Sequence, residues 1–255
     1  MNISKRTGNT IIDNLIQNMV YVEGATFTMG HAPLDNCAKV LHKVTLSSFY
    51  INKYAVTQRE WVEIMGSNPS RFVNPNNPVD NVSWDDCIRF FVELNKRCGL
   101  SFYFPTEAQW EFAAKGGKHS KNYLYSGSDN CSEVAWHYWN SGEIVRRMIS
   151  EATWFNKAKY KEQLMNNKTH PVGSLKSNEL GIYDMSGNVN EWCNDWYEEF
   201  TSDSTHNPQG PPNGERKIIR GGCFSGDRGL CRVINRDTMS LKGSLEAGLR
   251  IALRI

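Results

Sequence analysis

One stretch, residues 181–196, constrains the fold of this chain strongly, and it reads GIYDMSGNVNEWCNDW. Gly181 and Gly187 allow backbone conformations that a side chain would forbid, and the Ser-Gly-Asn sequence is typical of a turn. Asp184 and Glu191 place a carboxylate on either side of that turn. The whole stretch is therefore predicted to be a shaped loop rather than a helix or a strand.

The same stretch resembles the signature of the formylglycine-generating-enzyme, or sulfatase-modifying-factor, family. The matching segments are GIYDM at 181–185, GNV at 187–189, EW at 191–192, NVSW at 81–84 and PTEAQWE at 105–111. The resemblance implies an α+β fold of the C-type-lectin-like kind, with short strands, a few helices and long loops. Because one fold hosts many functions, the function has to be argued from the site.

Composition favours a single globular domain over residues 1–255. The 29 basic and 27 acidic side chains nearly cancel, so no strong field favours a nucleic-acid partner. No segment approaches the roughly 20 apolar residues of a membrane span, and a soluble monomer is expected. Cell-surface display stays open if a signal or lipid anchor precedes the chain. Seven cysteines, an odd number, argue against a fully paired disulfide framework, and most are expected to be buried free thiols.

Apolar patterning predicts several elements. Residues 1–18 are polar and weakly patterned, and they are expected to form a surface extension. Alternation at 21–24 and 27–30 predicts a strand pair, and alternation at 249–255 predicts a half-buried closing strand. Residues 118–177 have no sustained period, which is typical of an irregular segment that either serves a function or covers a surface.

Three helix starts carry a capping box, in which a hydroxyl residue and a carboxylate or amide three residues later satisfy each other's backbone amides. The pairs are Thr57 with Glu60, Ser83 with Asp86, and Thr106 with Gln109. The second helix is expected to bury one face and to end at Gly99 in a left-handed conformation. That face consists of Cys87, Ile88, Phe91 and Leu94.

The resemblance implies a redox site that this sequence does not complete. Formylglycine-generating enzymes oxidise a substrate cysteine with oxygen, using copper held by two thiolates, because soft sulfur ligands stabilise Cu(I). After the Arg-Gly-Gly motif at 220–222, the second family cysteine falls on Cys231 and the first falls on Gly226. Cys223 would need a rearranged loop to replace it. A copper-dependent oxidase of protein cysteine is therefore the alternative hypothesis, and no cofactor is expected to be required.

Segment 220–255 resembles the C-terminal variable region of diversity-generating-retroelement variable proteins, in which adenine-rich codons are rewritten on a lectin-like scaffold. This resemblance implies a non-enzymatic protein that binds another protein, with Phe224 and Leu230 as apolar contacts. A tolerant surface loop is the alternative. The candidate ligand-binding residues are Phe224, Ser225, Gly226, Asp227, Gly229, Leu230, Ile234, Asp237, Thr238, Ser240, Gly243, Ser244 and Leu245.

The family resemblance also implies a structural calcium ion in the loop around residue 187. The implied ligands are the side chains of Asp184 and Glu191 and the carbonyl groups of Gly187 and Val189, which suits a cation that prefers oxygen. The alternative is that both carboxylates accept backbone amide protons and only shape the turn.

Overall fold

A computed structural model describes residues 6–30, 41–142, 166–201, 203 and 205–254. The helices are α1 (Thr10–Gln17), α2 (Gln58–Met65), α3 (Trp84–Cys98), α4 (Glu107–Ala114) and α5 (Cys131–Val134). The strands are β1 (Met19–Val22), β2 (Thr26–Met29), β3 (His42–Thr45), β4 (Phe49–Asn52), β5 (Phe102–Tyr103), β6 (Asn190–Trp196), β7 (Thr205–His206), β8 (Lys217–Arg220), β9 (Asp237–Met239), β10 (Ala247–Gly248) and β11 (Ala252–Arg254).

The strands of these ranges form three sheets, in the orders β1-β4-β11-β5, β10-β6-β8-β9 and β2-β3-β7. Short strands and a few helices joined by long loops confirm the predicted α+β fold. Within the part of the chain that the structure describes, no helix has the length and apolarity needed to cross a membrane.

Strand β4 separates two apolar cores. Tyr50 faces a core built largely from α1, α2 and α3, whereas Phe49 and Ile51 face a second core that contains much of α4. This division follows from the alternation of side chains along a strand. The predicted strand over 249–255 is present in part, as the short strand β11 at Ala252–Arg254.

All three capping boxes are confirmed, because each hydroxyl and its partner three residues later exchange bonds at the starts of α2, α3 and α4. Gly99 ends α3 with a positive φ of 62°. The buried face of α3 differs from the prediction at Ile88, and it also includes Phe90 and Cys98. Phe90 is buried, while Ile88 is 42% exposed.

Three predictions about elements are wrong. Residues 10–17 form α1 rather than a surface extension, with Ile12, Leu15 and Ile16 buried in the first core. Strands β1 and β2 do not pair with each other, because β1 pairs with β4 and β2 pairs with β3. The stretch 181–196 is a loop only as far as residue 189, after which β6 begins. Part of the predicted irregular segment, residues 143–165, lies outside the described residues.

Asp195 on β6 holds the start of α4. Its Oδ2 atom accepts a hydrogen bond of 2.8 Å from the backbone amide of Glu107. Burial raises the pKa of Asp195 to about 7, and the nearby Glu107 carboxylate adds to the rise. Between about pH 4 and pH 7 the folded protein keeps a proton that the unfolded chain releases.

The variant Asp195→Asn is therefore expected to flatten the dependence of stability on pH. In the wild type this carboxyl makes the free energy of unfolding fall as pH rises through that window, by at most about 1.4 kcal/mol per pH unit. Asparagine has no such proton and keeps an acceptor for the Glu107 amide. Urea unfolding at several pH values measures both slopes, and equal slopes would contradict the assignment.

Candidate functional site

The signature loop ends in a turn that is tied to two other segments. Gly187 donates to the carbonyl oxygen of Gly221 at 2.8 Å, and Asn188 donates to that of Trp136 at 2.8 Å. Gly187 has a φ of 78°, and a Cβ there would collide with the Trp136 backbone. Only glycine fits this position, so the turn fixes where segments 136–141 and 221–224 lie.

Glu191 and Arg250 form a fully buried ion pair behind this turn. Arg250 binds both carboxylate oxygens, with its Nη2 atom 2.6 Å from Oε1 and its Nε atom 2.9 Å from Oε2. The Trp110 indole also donates to Oε2, at 2.7 Å. Arg250 donates further to the carbonyl oxygens of Asn52 at 2.9 Å and Tyr183 at 2.8 Å. Four separate segments therefore meet at this pair.

Asp184 is buried beside the pair and has a φ of 59°. Its Oδ2 atom accepts a bond of 2.7 Å from the backbone amide of Gly173. Burial raises the pKa of Asp184 to about 6, and the negative charge of Glu191 acts in the same direction. This carboxylate therefore shapes the loop through a backbone amide, as the alternative hypothesis for it supposes.

Of the predicted calcium ligands Asp184, Gly187, Val189 and Glu191, the Glu191 side chain already has other partners. Both oxygens of Glu191 already bind Arg250 and Trp110, so an ion there would have to displace a guanidinium group. Among the residues described, no group of three or more His, Cys, Asp or Glu side chains is arranged to hold a metal ion. Calcium binding stays a prediction. It would appear as a rise in melting temperature on adding calcium, because a ligand of the folded state stabilises it.

Loop 223–231 carries six of the predicted ligand-binding residues, and buried groups hold its backbone. Near its start, Phe224 donates to the Asn188 carbonyl oxygen at 2.9 Å, and the Ser141 hydroxyl donates to the Phe224 carbonyl oxygen at 2.7 Å. At its end, the Ser186 hydroxyl donates to the Cys231 carbonyl oxygen at 2.8 Å. Both ends of the loop are therefore fixed.

Between these ends the side chains face outward, and we name residues 225–230 the loop face. Leu230 is 42% exposed, close to the 40% of Trp139. The Trp139 indole donates to Asp227 at 3.3 Å, and the Ser225 hydroxyl donates to Glu246 at 3.2 Å. A Cβ added at position 226 or 229 would lie 3.3 Å or more from its nearest neighbour, so the face can accept side chains at both glycines.

Three predicted ligand-binding residues instead support the fold. Phe224 is only 3% exposed and meets the Phe72 ring edge-on, so it cannot be the apolar contact expected of it. Ile234 packs against the second core. Gly243 has a φ of 76°, and a Cβ there would lie 2.7 Å from the Val82 carbonyl oxygen.

The remaining predicted residues lie in two further segments. Asp237 and Thr238 belong to β9, where Arg216 donates to the Thr238 hydroxyl at 2.8 Å. Ser240, Ser244 and Leu245 lie in the turn between β9 and β10, and Leu245 is 44% exposed. Contact with a ligand at these positions stays a prediction.

One of the two thiols that the family's copper site would require is missing from the loop. Gly226 supplies no sulfur, and the sulfur of Cys223 lies 3.4 Å from the Ser225 hydroxyl. Cys231 is fully buried in a small cluster with Cys131. Cys131 and Trp139 are not among the predicted site residues, because both lie in the stretch without apolar period.

Comparison with known proteins supports the resemblance. The family model described as "Sulfatase-modifying factor enzyme 1-like domain" matches residues 9–255. "Chaperone protein LppX" of Paenibacillus barcinonensis is 34% identical over 94% of this chain and 87% of its own length. The formylglycine-generating enzyme of Streptomyces coelicolor is 29% identical over 73% of this chain, which spans only 54% of that enzyme.

Among solved structures, Treponema denticola variable protein 1 superposes with a TM-score of 0.77 at 28% sequence identity. The match covers 93% of this chain and 95% of that one. PvdO from Pseudomonas aeruginosa matches with a TM-score of 0.67 at 24% identity, over 93% of this chain and 94% of its own, which shows a shared fold.

Removing one partner of the buried pair should be costly. Arg250→Met leaves the Glu191 carboxylate buried without its cation, and we expect a loss of about 3–5 kcal/mol in the free energy of unfolding. The matched control is Arg254→Met, since Arg254 is exposed and should contribute less than about 1 kcal/mol. Urea unfolding of both variants measures the difference. Similar losses in the two variants would contradict the role assigned to the pair.

Proposed function

The chain belongs to the sulfatase-modifying factor enzyme 1-like family, and we propose that it uses the family fold as a non-enzymatic protein that binds a protein ligand. One observation carries the proposal. In loop 223–231 the backbone is held by buried groups at both ends, while the side chains of the loop face point outward. Binding proteins commonly diversify such loops on rigid scaffolds.

The fixation depends on groups that substitution leaves in place. The bonds at the loop ends join the backbone of Phe224 and Cys231 to Asn188, Ser141 and Ser186, none of which belongs to the face. Changing the side chains at 225–230 therefore removes none of these bonds. The side chains of the loop face can therefore vary while its backbone keeps its position.

The chemistry of the face suits a protein ligand. Trp139 and Leu230 offer apolar contact area next to the Asp227 carboxylate. The backbone amide of Gly229 lowers the pKa of Asp227, so this carboxylate stays ionised at neutral pH. Exposed aromatic side chains next to polar groups are common at the energetic centres of protein interfaces.

The likeness to a variable protein over nearly the whole chain supports the proposal further. Under the hypothesis of a retroelement variable protein, the residues of the face differ between copies of the gene. A near-copy of the coding stretch for 220–255, with adenines at the divergent positions and beside a reverse transcriptase gene, should lie downstream. A locus without such a copy would remove the diversification part of the proposal.

The capacity to bind is testable with two libraries displayed on yeast. One library randomises positions 225, 226, 227, 229 and 230. The control library randomises five exposed positions on α3, namely Asp85, Ile88, Arg89, Val92 and Lys96. Both are selected against biotinylated ubiquitin as the probe. We expect ubiquitin binders from the face library and at least about tenfold fewer from the control, because hot-spot side chains work best on a fixed backbone.

A second readout is the melting temperature of unselected face variants. It should stay within about 3 °C of the parent, since no buried contact is removed. Equal enrichment from the two libraries, or widespread loss of displayed folded protein from the face library, would contradict the proposal.

The alternative function is that of a copper-dependent oxidase of protein cysteine. This chain has Gly226 where that family has the first of its two copper-binding thiols. We expect the chain, loaded with copper and supplied with oxygen, to form no aldehyde on a cysteine-containing peptide. Mass spectrometry after reaction with an aldehyde-specific hydroxylamine measures the product. The Streptomyces coelicolor enzyme serves as the positive control, and aldehyde at a comparable rate would establish the oxidase.

A further inference from the structure

Cys131 and Cys231 lie together in a small buried cluster although 100 positions separate them in the sequence. Tyr125, Val134 and Ala135 complete this cluster. Cys231 is fully buried, and Cys131 is 6% exposed. Neither thiol has a part in the ligand-binding proposal, and the family's cysteine spacing does not include Cys131.

The two sulfurs interact directly. The two thiols are hydrogen-bond partners, and His137 and Tyr125 also lie within hydrogen-bonding reach of the Cys131 sulfur. The Cys231 thiol lies 3.9 Å from the Asp227 carbonyl oxygen as well. The Cys231 bond chiefly lowers the pKa of Cys131, to about 6, and the same contact raises that of Cys231. At neutral pH the pair therefore consists of a thiolate on Cys131 and a thiol on Cys231. A thiolate beside a thiol is the arrangement that thiol–disulfide exchange requires.

Backbone bonds hold the two cysteines in this arrangement. The Ser186 hydroxyl donates to the Cys231 carbonyl oxygen at 2.8 Å, and the Ala135 amide donates to that of Cys131 at 2.8 Å. Val233 donates to the Leu124 carbonyl oxygen at 3.0 Å, which joins the two chain segments beside the cluster. These bonds fix the backbone on both sides of the pair.

We propose that Cys131 and Cys231 are a redox-active dithiol that a low-molecular-weight disulfide, such as oxidised glutathione, converts into a disulfide bond. The Cys131 thiolate attacks one glutathione sulfur, forms a mixed disulfide and releases a glutathione thiolate. Cys231 then loses its proton and attacks the sulfur of Cys131, which releases the second glutathione. The two cysteines lose two electrons in total, and the glutathione disulfide gains them.

Other described cysteines are less suited to this reaction. Burial raises the pKa of Cys87, Cys193 and Cys223, so these thiols stay protonated at neutral pH. The reaction should therefore select the 131–231 pair. Because Cys131 is only slightly exposed, exchange should be slow, taking minutes to hours.

The disulfide bond between Cys131 and Cys231 would restrain the loop face from its buried side. Cys231 ends the short 3₁₀ turn Arg228–Cys231, which carries Gly229 and Leu230. A link from Cys231 to α5 would join this turn covalently to the segment that leads to Trp139. The cysteine pair is separate from the residues proposed to bind a ligand, so its oxidation can be tested even if the ligand-binding proposal is disproved.

The test uses the full chain in glutathione buffers of increasing oxidation, followed by alkylation of the remaining thiols and peptide mass mapping. We expect one cross-linked peptide pair, 131 with 231, and a mass loss of two hydrogen atoms. The melting temperature should rise by about 5 °C or more, because the closed loop is long. Addition of dithiothreitol should reverse both changes.

Cys223→Ser is the matched control, since it removes the neighbouring thiol and should keep the cross-link and the rise in melting temperature. Cys131→Ala should abolish both, and its own melting temperature should not respond to oxidised glutathione. A 223–231 cross-link in the wild type, or free thiols at both 131 and 231 after prolonged oxidation, would overturn the proposal. Mapping of the wild type decides this even if a variant fails to fold.

Discussion

The buried ion pair between Glu191 and Arg250 is the interaction on which the arrangement of this fold depends. It joins β6 to the segment before β11, and Arg250 also binds carbonyl oxygens from β4 and from the signature loop. Two buried charges are costly unless each finds several partners. Here the partners come from distant parts of the chain, so the pair satisfies its own charges only when the domain is assembled.

Two further buried pairs extend this polar framework. Arg220 at the end of β8 binds Glu111 on α4, and Arg236 binds Glu107 at the start of that helix with an Nε to Oε1 distance of 2.7 Å. Loop 223–231 follows Arg220 after two glycines, and so it starts near a position set by α4 and β8. The support of the loop face therefore lies in buried charges and in the glycine turn at 187, and not in the outward side chains.

Sequence patterns predicted local features well and distant pairings poorly. The capping boxes at Thr57, Ser83 and Thr106 are local, because donor and acceptor lie within one helical turn. The pairing of β1 with β4 is set by contacts distant in sequence and has no local signal. The burial of α1 is also tertiary, because its apolar residues cover a core that the other helices create. Arg250 looked like an exposed position in an alternating strand, and only its partner Glu191 explains its burial.

The candidate site shows the same division. The stretch of exposed loop residues could be predicted from the resemblance of segment 220–255 to a variable region, whereas the burial of Phe224 and the backbone conformation of Gly243 could not. Trp139 lies beside the loop face but belongs to a segment without apolar period, so no sequence pattern predicts its position.

The hydrogen bonds within the loop also limit its evolution. The backbone amides of 226, 229 and 230 are donors, and proline alone among the amino acids lacks that donor. Mutational drift can therefore introduce nearly every amino acid at these sites, and the main-chain hydrogen bonds exclude only proline.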